Sequence, residues 1–231
     1  MKTIAVIAQK GGSGKTTLAL SLAVAGLRAG KSTAVIDLDP QATATKWADR
    51  RTDKELVVTS AQAARLPQLL DAARASEADL VIIDTPPRVE QAALTAAKLA
   101  DLILIPCQAS INDLETIGAT MELLKFAGNA HAIVVLNGVA SRGDRTAQAE
   151  AAIRDMAVAV APVALGYRTA YKDSAALGLT AQEYEPNGKA AGELTDLYRL
   201  IVKMVNQTTT QPKNQTTEGV TDGQTRLAAS A

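Results

Sequence analysis

The chain has 231 residues, and its 24 basic and 24 acidic side chains give a formal net charge of zero at neutral pH. Hydrophobic residues make up 47%, enough for a full core, but only 3% are aromatic, so the core must be aliphatic. A generally basic surface is thereby excluded, and binding to nucleic acid would need a local basic patch.

Short apolar runs alternate with longer amphipathic runs through most of the chain. Near-uniform apolar character over four to six residues is typical of strands covered on both faces. We predict such strands at 3–8, 33–39, 56–59, 80–84, 102–106 and 133–137. Helices are predicted at 15–29, near 41–51 and near 61–75. Strands separated by helices predict βαβ units, and therefore a mostly parallel central sheet with helices on both faces.

The second half of the chain has weaker patterns. VAVAPVAL (158–165) predicts a strand, and Pro162 places that strand at a sheet edge or a bulge. Residues 188–205 suit a closing helix whose apolar residues share one face. From 206 onward the composition turns polar, with many Thr, Gln and Asn residues. We therefore predict one domain over residues 1–205 and a disordered tail over 206–231.

The composition also limits the chemistry and the location. Cys107 and His131 are the only residues of their types, so an intramolecular disulfide cannot form and a Cys/His metal site is not expected. Cys107 ends an apolar run, which is typical of a buried structural thiol. No apolar stretch approaches the roughly 20 residues of a membrane span. We expect a soluble, cytoplasmic protein that does not bind membranes.

Residues 9–17 read QKGGSGKTT and predict a phosphate-binding loop between the first strand and the first helix. Gly14, Lys15 and Thr16 match the end of the pattern G-x-x-x-x-G-K-[ST]. Gln9 stands where the first glycine of that pattern belongs, and Lys10 is an additional lysine. Backbone N–H groups of such a loop, together with the helix N-terminus, bind phosphate. The residues expected to bind the nucleotide are Gly11, Gly12, Ser13, Gly14, Lys15, Thr16 and Thr17.

Three side chains of this loop have separate expected tasks. Lys15 is expected to bind the β- and γ-phosphates, and the Thr16 hydroxyl to coordinate Mg²⁺. Thr17 is positioned to donate a hydrogen bond to the α-phosphate. ATP and Mg²⁺ are therefore the expected cofactors.

Carboxylates end two of the predicted strands, where parallel sheets gather their active sites. Asp84 closes LVIID and suits a Walker B role next to Mg²⁺. Asp37 and Asp39 lie two residues apart, so they share a face in extended backbone. One could help to hold the metal while the other positions the attacking water. An N-cap before Pro40 and the following helix is the alternative role for Asp39.

Three motifs together resemble the ParA/MinD group of P-loop ATPases, which have a deviant Walker A box. They are KGGSGKTT at 10–17, DLDPQ at 37–41 and IIDTPP at 82–87, and the resemblance spans roughly residues 1–205. It implies a three-layer P-loop NTPase fold and a dimer that sandwiches two nucleotides. In such a dimer Lys10 would reach the phosphates bound by the partner, and Gly12 would allow the two loops to approach closely.

The resemblance also assigns roles to individual residues. Asp39 becomes the catalytic carboxylate, acting with Lys10 and Lys15, and the chain becomes a slow, partner-stimulated ATP hydrolase. The metal-binding residues become Thr16, Asp37 and Asp84. Asn137, at the end of IVVLN, would lie near the adenine, although a lone Asn at a strand end is also a common turn former.

Within this group the chain is most similar to small ParA proteins of the ParF-like type. It has no paired cysteines for a cluster, no tyrosine-rich tail and no basic amphipathic C-terminal helix, and Trp47 follows DLDPQ closely. Such ATPases are nucleoid-associated: as ATP dimers they bind DNA without sequence preference. A ParB-like or centromere-binding adaptor on the cargo stimulates hydrolysis. The cargo could be a plasmid, a chromosome or a large protein assembly.

The DNA contacts are expected on the late helices. The candidates there are Arg168, Lys172, Lys189, Arg199 and Lys203, although acidic residues in the same region cancel their charge. A second basic group, which could contact the partner protein, consists of Lys46, Arg50, Arg51 and Lys54. The alternative function is a nucleotide-switched dimeric adaptor that recruits a protein without binding DNA. A metabolic kinase is disfavoured because it leaves Lys10 without a purpose.

Overall fold

A computed structural model describes residues 1–128 and 131–208 of the chain. Over these residues it contains one seven-stranded sheet, with the strands in the order β3-β2-β4-β1-β5-β6-β7. Every pair of neighbouring strands is parallel, which confirms the predicted fold class. The strands are β1 (Lys2–Val6), β2 (Thr33–Asp37), β3 (Val57–Ser60), β4 (Leu80–Asp84), β5 (Leu102–Cys107), β6 (Ala132–Val139) and β7 (Leu165–Gly166).

Helices cover both faces of this sheet. A short 3₁₀ helix at Ala63–Arg65 precedes α3. The α-helices in the described part of the chain are α1 (Lys15–Arg28), α2 (Thr43–Asp49), α3 (Leu66–Ala75), α4 (Glu90–Leu99), α5 (Ile111–Lys125), α6 (Arg145–Asp155), α7 (Ala170–Ala176), α8 (Ala181–Tyr184) and α9 (Lys189–Thr208).

The core consists of two aliphatic layers, one on each face of the sheet. Successive side chains of a strand point to opposite faces. Ile82 of β4 therefore packs among residues of α1 and α9, whereas Ile83 packs among residues of α3 to α6. Both isoleucines are fully buried, as expected for strands covered on both faces. This two-sided burial fixes the sheet and, with it, the loops at its edges.

The carboxyl ends of the neighbouring strands β2, β4 and β1 meet at one edge of the sheet. The pairing register sets Asp84 of β4 beside Val6 of β1 on one side and beside Asp37 of β2 on the other. The glycine-rich loop that leaves β1 therefore begins next to both carboxylates. This edge is called the nucleotide edge below.

Two elements of the second half differ from their predicted extents. The strand predicted at 158–165 is reduced to β7 and to an isolated bridge between Val160 and Val134. Pro162 lies between these two pieces, and because it has no N–H group it cannot continue the ladder. The closing helix α9 has its predicted buried face but continues to Thr208, past the predicted domain boundary at 206. The rest of the predicted tail, from 209 onward, lies outside the described residues.

Two further expectations concern the Cys107 thiol and membrane-spanning helices. The Cys107 side chain is buried, and burial raises the pKa of its thiol to about 12, as suits a structural thiol. Across residues 1–128 and 131–208, none of the helices has the length and apolar character that crossing a membrane requires.

Candidate nucleotide-binding site

The glycine-rich loop adopts a backbone that only glycine accepts easily. Gly12 has φ 76° and Gly14 has φ 96°, both in the left-handed region. At Gly14 a Cβ atom would also lie 2.1 Å from Nδ2 of Asn137, so a side chain there would displace the Asn137 side chain. Helix α1 begins at the next residue, so its unpaired N–H groups face the loop. The loop and the helix end together form the anion site that the motif predicts.

Lys15 occupies the centre of this site. Its side chain is buried, and Nζ donates a hydrogen bond to the carbonyl oxygen of Lys10, 3.0 Å away. Burial lowers the pKa of Lys15, although the charges of Asp84 and Asp39 act in the opposite direction. A buried ammonium group beside a ring of backbone N–H groups is well suited to a phosphate, and Lys15 can therefore hold the phosphate chain of a nucleotide.

Thr16 and Asp84 form the part of the site that suits Mg²⁺. The Thr16 hydroxyl donates a hydrogen bond to Oδ2 of Asp84 at 2.6 Å. The other oxygen of Asp84, Oδ1, is buried and has no hydrogen-bond partner among the described residues. Burial raises the pKa of Asp84 to about 7. A buried carboxylate oxygen without a partner beside a hydroxyl fits a hard cation such as Mg²⁺.

Most of the remaining ligands of a bound Mg²⁺ would come from water and from the nucleotide. Within the described residues, no three His, Cys, Asp or Glu side chains are grouped to hold a metal ion. Protein-bound Mg²⁺ typically combines one or two protein oxygens with waters and substrate phosphates. The site therefore suits a magnesium–nucleotide complex, with Mg²⁺ neutralising phosphate charge when it is bound.

Asp37 has a structural role that sequence reasoning missed. Oδ1 accepts a hydrogen bond from Asp39 N at 3.0 Å, and Oδ2 accepts from Ala44 N at 3.0 Å and from Thr45 N at 3.4 Å. Because Ala44 and Thr45 lie in the first turn of α2, the carboxylate caps that helix. Burial raises the pKa of Asp37, while these three N–H groups oppose the rise. Its place in a magnesium shell stays a prediction.

Asp39 lies on the turn between β2 and α2. Its side chain is half-buried, and Oδ1 accepts a hydrogen bond from Gln41 N at 2.9 Å, which closes an Asx-type turn. Ala42, three residues after Asp39, has a φ of 50°, so this turn contains a strained non-glycine residue. Asp39 is thus positioned by the turn and not used as a helix cap, and its catalytic role stays a prediction.

The ammonium group of Lys10 has a different partner from that of Lys15. Its Nζ is 2.6 Å from Oδ2 of Asp113, whose side chain is only 3% exposed. Asp113 lies in the first turn of α5, and the preceding Ser110 caps that helix. Sequence reasoning missed Asp113, although Ser110 and Asp113 are spaced like a helix cap directly after a strand that ends at the nucleotide edge.

Asn137 contacts the loop from the other side. Its Nδ2 donates a hydrogen bond to the carbonyl oxygen of Ser13 at 2.8 Å. A loop carbonyl held outward in this way leaves the loop N–H groups free to face a phosphate. Asn137 therefore supports the phosphate loop, and its contact with adenine stays a prediction. Thr17 is exposed on the first turn of α1.

The candidate DNA contacts do not form a single free basic patch. Arg168 is 2.6 Å from Glu193, Arg199 is 3.1 Å from Asp196, and Lys172 lies over the ring of Tyr167. Lys189 and Lys203 are exposed on α9, but 14 residues of helix separate them by about 21 Å. DNA contact by any of the five residues stays a prediction.

The second basic group includes one residue that is not on the surface. Arg51 is 3% exposed and lies 2.8 Å from Glu183, and it also bonds Asp53 and stacks over Trp47. The expectation that Arg51 contacts a partner protein is therefore wrong, because its guanidinium group links the segment after α2 to α8. Lys46, Arg50 and Lys54 are exposed.

The fold and this site define a P-loop nucleotide-binding protein. A parallel sheet carries a glycine-rich loop, a buried lysine at a helix N-terminus and a hydroxyl–carboxylate pair at one edge. Its similarity to known proteins identifies the family of the chain.

Residues 4–181 match the family model described as the CobQ/CobB/MinD/ParA nucleotide binding domain. A relative from Gloeobacter kilaueensis, maintenance of carboxysome distribution protein A, is 30% identical over 209 residues, which are 89% of this chain and 94% of the relative. The chromosome-partitioning ATPase Soj of Thermus thermophilus is 30% identical over 154 residues, covering 54% of this chain and 62% of Soj. The crystal structure of the cell division ATPase MinD from Pyrococcus furiosus matches with a TM-score of 0.71 at 23% identity, covering 88% of this chain and 99% of MinD.

The chain therefore belongs to the CobQ/CobB/MinD/ParA family, and within it to the MinD/ParA type of deviant Walker A ATPases. Its activity is the hydrolysis of ATP, with Mg²⁺ as the cofactor, as the loop predicts. Its general function is that of an ATPase in positioning or partition.

Proposed function

We propose that this protein is a cytoplasmic, nucleoid-associated ATPase that dimerises when it binds ATP, binds DNA without sequence preference and distributes a cargo. A cargo-bound adaptor protein stimulates its hydrolysis. A carboxysome-distribution protein and a chromosome-partitioning ATPase are both 30% identical to it, which supports a large protein assembly or a DNA molecule as the cargo.

The main support for the proposal is that the two loop lysines, Lys10 and Lys15, have different partners. Lys15 lies within the loop, where it can neutralise the phosphates of its own nucleotide. Nζ of Lys10 instead lies 2.6 Å from Asp113, and the Lys10 side chain is 36% exposed. A second cation that is partly exposed is available to the phosphates of another molecule, as an arginine finger is. The dimer proposed here therefore places each Lys10 at the nucleotide of the partner chain.

The residues then have complementary roles in hydrolysis. Lys15 and the loop N–H groups hold the phosphates, Thr16 and Asp84 hold Mg²⁺, and Asp39 orients the attacking water. Asp37 keeps α2 and the Asp39 turn in position through its three N–H contacts. Loss of the terminal phosphate removes the anion that attracts Lys10, so hydrolysis weakens the dimer.

A second candidate function is supported by the late helices. Because Arg168 and Arg199 are paired with acidic residues, few basic side chains there are free for phosphate contacts. A nucleotide-switched dimer that recruits only a protein partner would need none of them. This adaptor function keeps the site and the dimer but gives up DNA binding.

Binding to random-sequence duplex DNA separates the two functions. The Asp39→Ala variant should hold the ATP state, and we would measure its DNA affinity with ADP and with ATP across a salt series. The proposal predicts binding with ATP only, with an affinity that falls steeply as salt rises. A confirmed ATP dimer that binds no DNA at low salt would rule out the DNA-dependent function and leave the adaptor.

A further inference from the structure

Helix α2 directly follows the Asp39 turn (residues 39–42) and has little packing of its own. Of its seven residues, only Ala44 and Trp47 are buried. The turn contains Ala42 in the left-handed region, with a φ of 50°. Backbone strain of this kind persists only where the surrounding structure imposes it. The position of the turn therefore depends on the polar contacts that hold α2 at its two ends.

The far end of α2 continues directly into Arg50 and Arg51. The Arg51 N–H group donates to the carbonyl oxygen of Ala48 at 3.1 Å, so the helix carries both arginines. A Cβ atom on Gly178 would lie 2.7 Å from backbone atoms of Arg50 and Arg51, so this end of α2 touches the backbone between α7 and α8. Three side chains donate to carbonyl oxygens there, each at 3.1 Å: Trp47 to Leu179, Arg50 to Ala175 and Arg51 to Gly178. These contacts are called the α2 junction below.

Arg51 lies at the centre of the α2 junction. Its side chain is 3% exposed, and its guanidinium group lies 4.9 Å from the centre of the Trp47 ring. It donates to both carboxylate oxygens of Glu183, at 2.8 and 3.0 Å. Glu183 also accepts hydrogen bonds from the N–H group and the hydroxyl of Thr180, which close the capping box of α8. The ion pair therefore joins the end of α2 to the start of α8.

We propose that Arg51 and Glu183 are positioning residues for ATP hydrolysis, which act through α2 on Asp39. The helix is seven residues long, about 10 Å, so a shift at one end is passed to the other. Asp37 holds the near end through the N–H groups of the first turn, and the α2 junction holds the far end. This role rests on the catalytic task given to Asp39 under Proposed function, and it adds the residues that keep Asp39 in place.

A carboxylate that orients the attacking water is sensitive to small displacements. A misplacement of about 1 Å, caused by a change far from the reacting atoms, can lower a rate about a hundredfold. Nucleotide binding depends instead on the glycine-rich loop and on Lys15 of α1. Loosening the α2 junction should therefore lower kcat and leave the KM for MgATP nearly unchanged.

The test measures ATP hydrolysis by the full chain carrying Glu183→Gln. This variant keeps the shape of the side chain but removes the charge that holds Arg51. Rates are taken at a protein concentration where the rate per chain no longer rises, and are divided by the fraction of chains that bind MgADP. We expect kcat to fall at least about tenfold, with KM changed less than about twofold.

Ile153→Ala is the matched control for lost stability. Ile153 is a fully buried residue of α6 and belongs to the core layer on the other face of the sheet from Trp47. Its truncation destabilises the fold without touching the α2 junction. It should leave kcat per nucleotide-binding chain unchanged.

Trp47 supplies a spectroscopic signal of the α2 junction, because it is the only tryptophan in the sequence. Its side chain is buried, so acrylamide should quench its fluorescence weakly in the wild type. Quenching should be stronger in Glu183→Gln and unchanged in Ile153→Ala. A low kcat for Glu183→Gln with quenching at the wild-type level would overturn the inference, because α2 would then still be held.

Action through Asp39 is tested by adding Glu183→Gln to the Asp39→Ala variant. The residual rate should not fall further, because the residue that the α2 junction positions is already absent. A wild-type kcat for Glu183→Gln, an equal loss in Ile153→Ala or a loss that persists in full without Asp39 would overturn the inference. A wild-type rate for Asp39→Ala alone would instead contradict the proposed function.

Trp47→Phe keeps the inference testable if Glu183→Gln does not fold, which circular dichroism would reveal. It keeps an aromatic ring beside Arg51 but removes the N–H group that bonds Leu179. Its kcat should fall while its KM stays unchanged. A wild-type kcat for a folded Trp47→Phe variant would contradict the positioning role of the α2 junction.

Discussion

The nucleotide edge and the late helices α7 to α9 use their charged residues in different ways. At the nucleotide edge the charged groups follow strand ends in register, and their positions are fixed by the sheet. Around the late helices the arginines are paired with acidic residues: Arg168, just before α7, with Glu193, and Arg199 with Asp196. Charges therefore indicate a binding surface where strand register brings them together at one sheet edge, and a count of basic residues on helices does not.

The largest expected effect lies at the nucleotide edge. Lys15→Ala should abolish nucleotide binding, a loss of at least about a hundredfold in affinity, because the buried phosphate site loses its cation. A fluorescent ATP analogue would measure it. Lys10→Ala is the matched control, since Nζ of Lys10 bonds Asp113 and its loss should leave binding by the single chain largely intact. Equal losses in both variants would show that the two lysines act on the same nucleotide.

The next effect concerns the ion pair between Arg51, just after α2, and Glu183 of α8. Glu183→Gln should lower the free energy of unfolding by about 3 kcal/mol, because Arg51 is left buried with a weaker partner. Chemical denaturation of the nucleotide-free chain measures this. Glu185→Gln, which alters an exposed acid two residues away, should change stability little.

The same pair predicts how stability depends on pH. Burial alone would raise the pKa of Glu183, but the bonds from Arg51 and Thr180 outweigh it and hold the pKa below the usual 4.5. A lowered pKa means that Glu183 stabilises the fold above pH 4.5 and loses this contribution as the pH falls through its folded value. The wild type should therefore lose more stability than Glu183→Gln on acidification below that pH. Parallel pH profiles would contradict the pairing.

A smaller effect distinguishes the two roles of Asp37. As a helix cap, Asp37→Ala should destabilise the nucleotide-free chain by about 2 kcal/mol, because N–H groups of Asp39, Ala44 and Thr45 lose their acceptor. Thermal unfolding without nucleotide and without Mg²⁺ measures it. If stability changed only when MgATP is present, Asp37 would act mainly on the metal.

The smallest effect is expected on the late helices. Lys203→Ala removes an exposed lysine from α9 and should weaken DNA binding only a few-fold, with a salt dependence shallower by about one charge. Arg168→Ala removes an arginine that is already paired with Glu193, so it should lower stability more than DNA affinity. An Arg168→Ala variant with normal stability and strongly reduced DNA binding would reverse this order.

Sequence patterns predicted the sheet and the loop because both depend on neighbouring residues. Continuous apolar runs identify β1, β2, β4, β5 and β6, and the spacing of Gly14, Lys15 and Thr16 identifies the phosphate loop. The strand predicted at 158–165 failed because Pro162 interrupts the ladder, and an apolar run alone does not show whether a partner strand is available. The helix α9 was predicted from its apolar pattern, but the residue at which it ends was not.

Contacts between distant residues could not be predicted in this way. Lys10 and Asp113 are 103 positions apart, and Arg51 and Glu183 are 132 positions apart. No local pattern relates them, so Arg51 looked like a surface residue and Asp113 was overlooked. Asp37 was predicted to bind the metal. The three backbone N–H groups that donate to its carboxylate come together only when α2 is placed over the end of β2.

The central claim is that Lys10 acts on the nucleotide of the other chain, and mixing two inactive variants tests it most directly. In a mixed dimer of Lys10→Ala and Asp39→Ala, one site combines an intact Asp39 with a lysine supplied by the partner. If Lys10 acts across the dimer, the mixture should hydrolyse ATP at up to about a quarter of the wild-type rate, since about half the dimers are mixed and each has one active site. Activity no greater than the sum of the two variants measured separately would contradict the account.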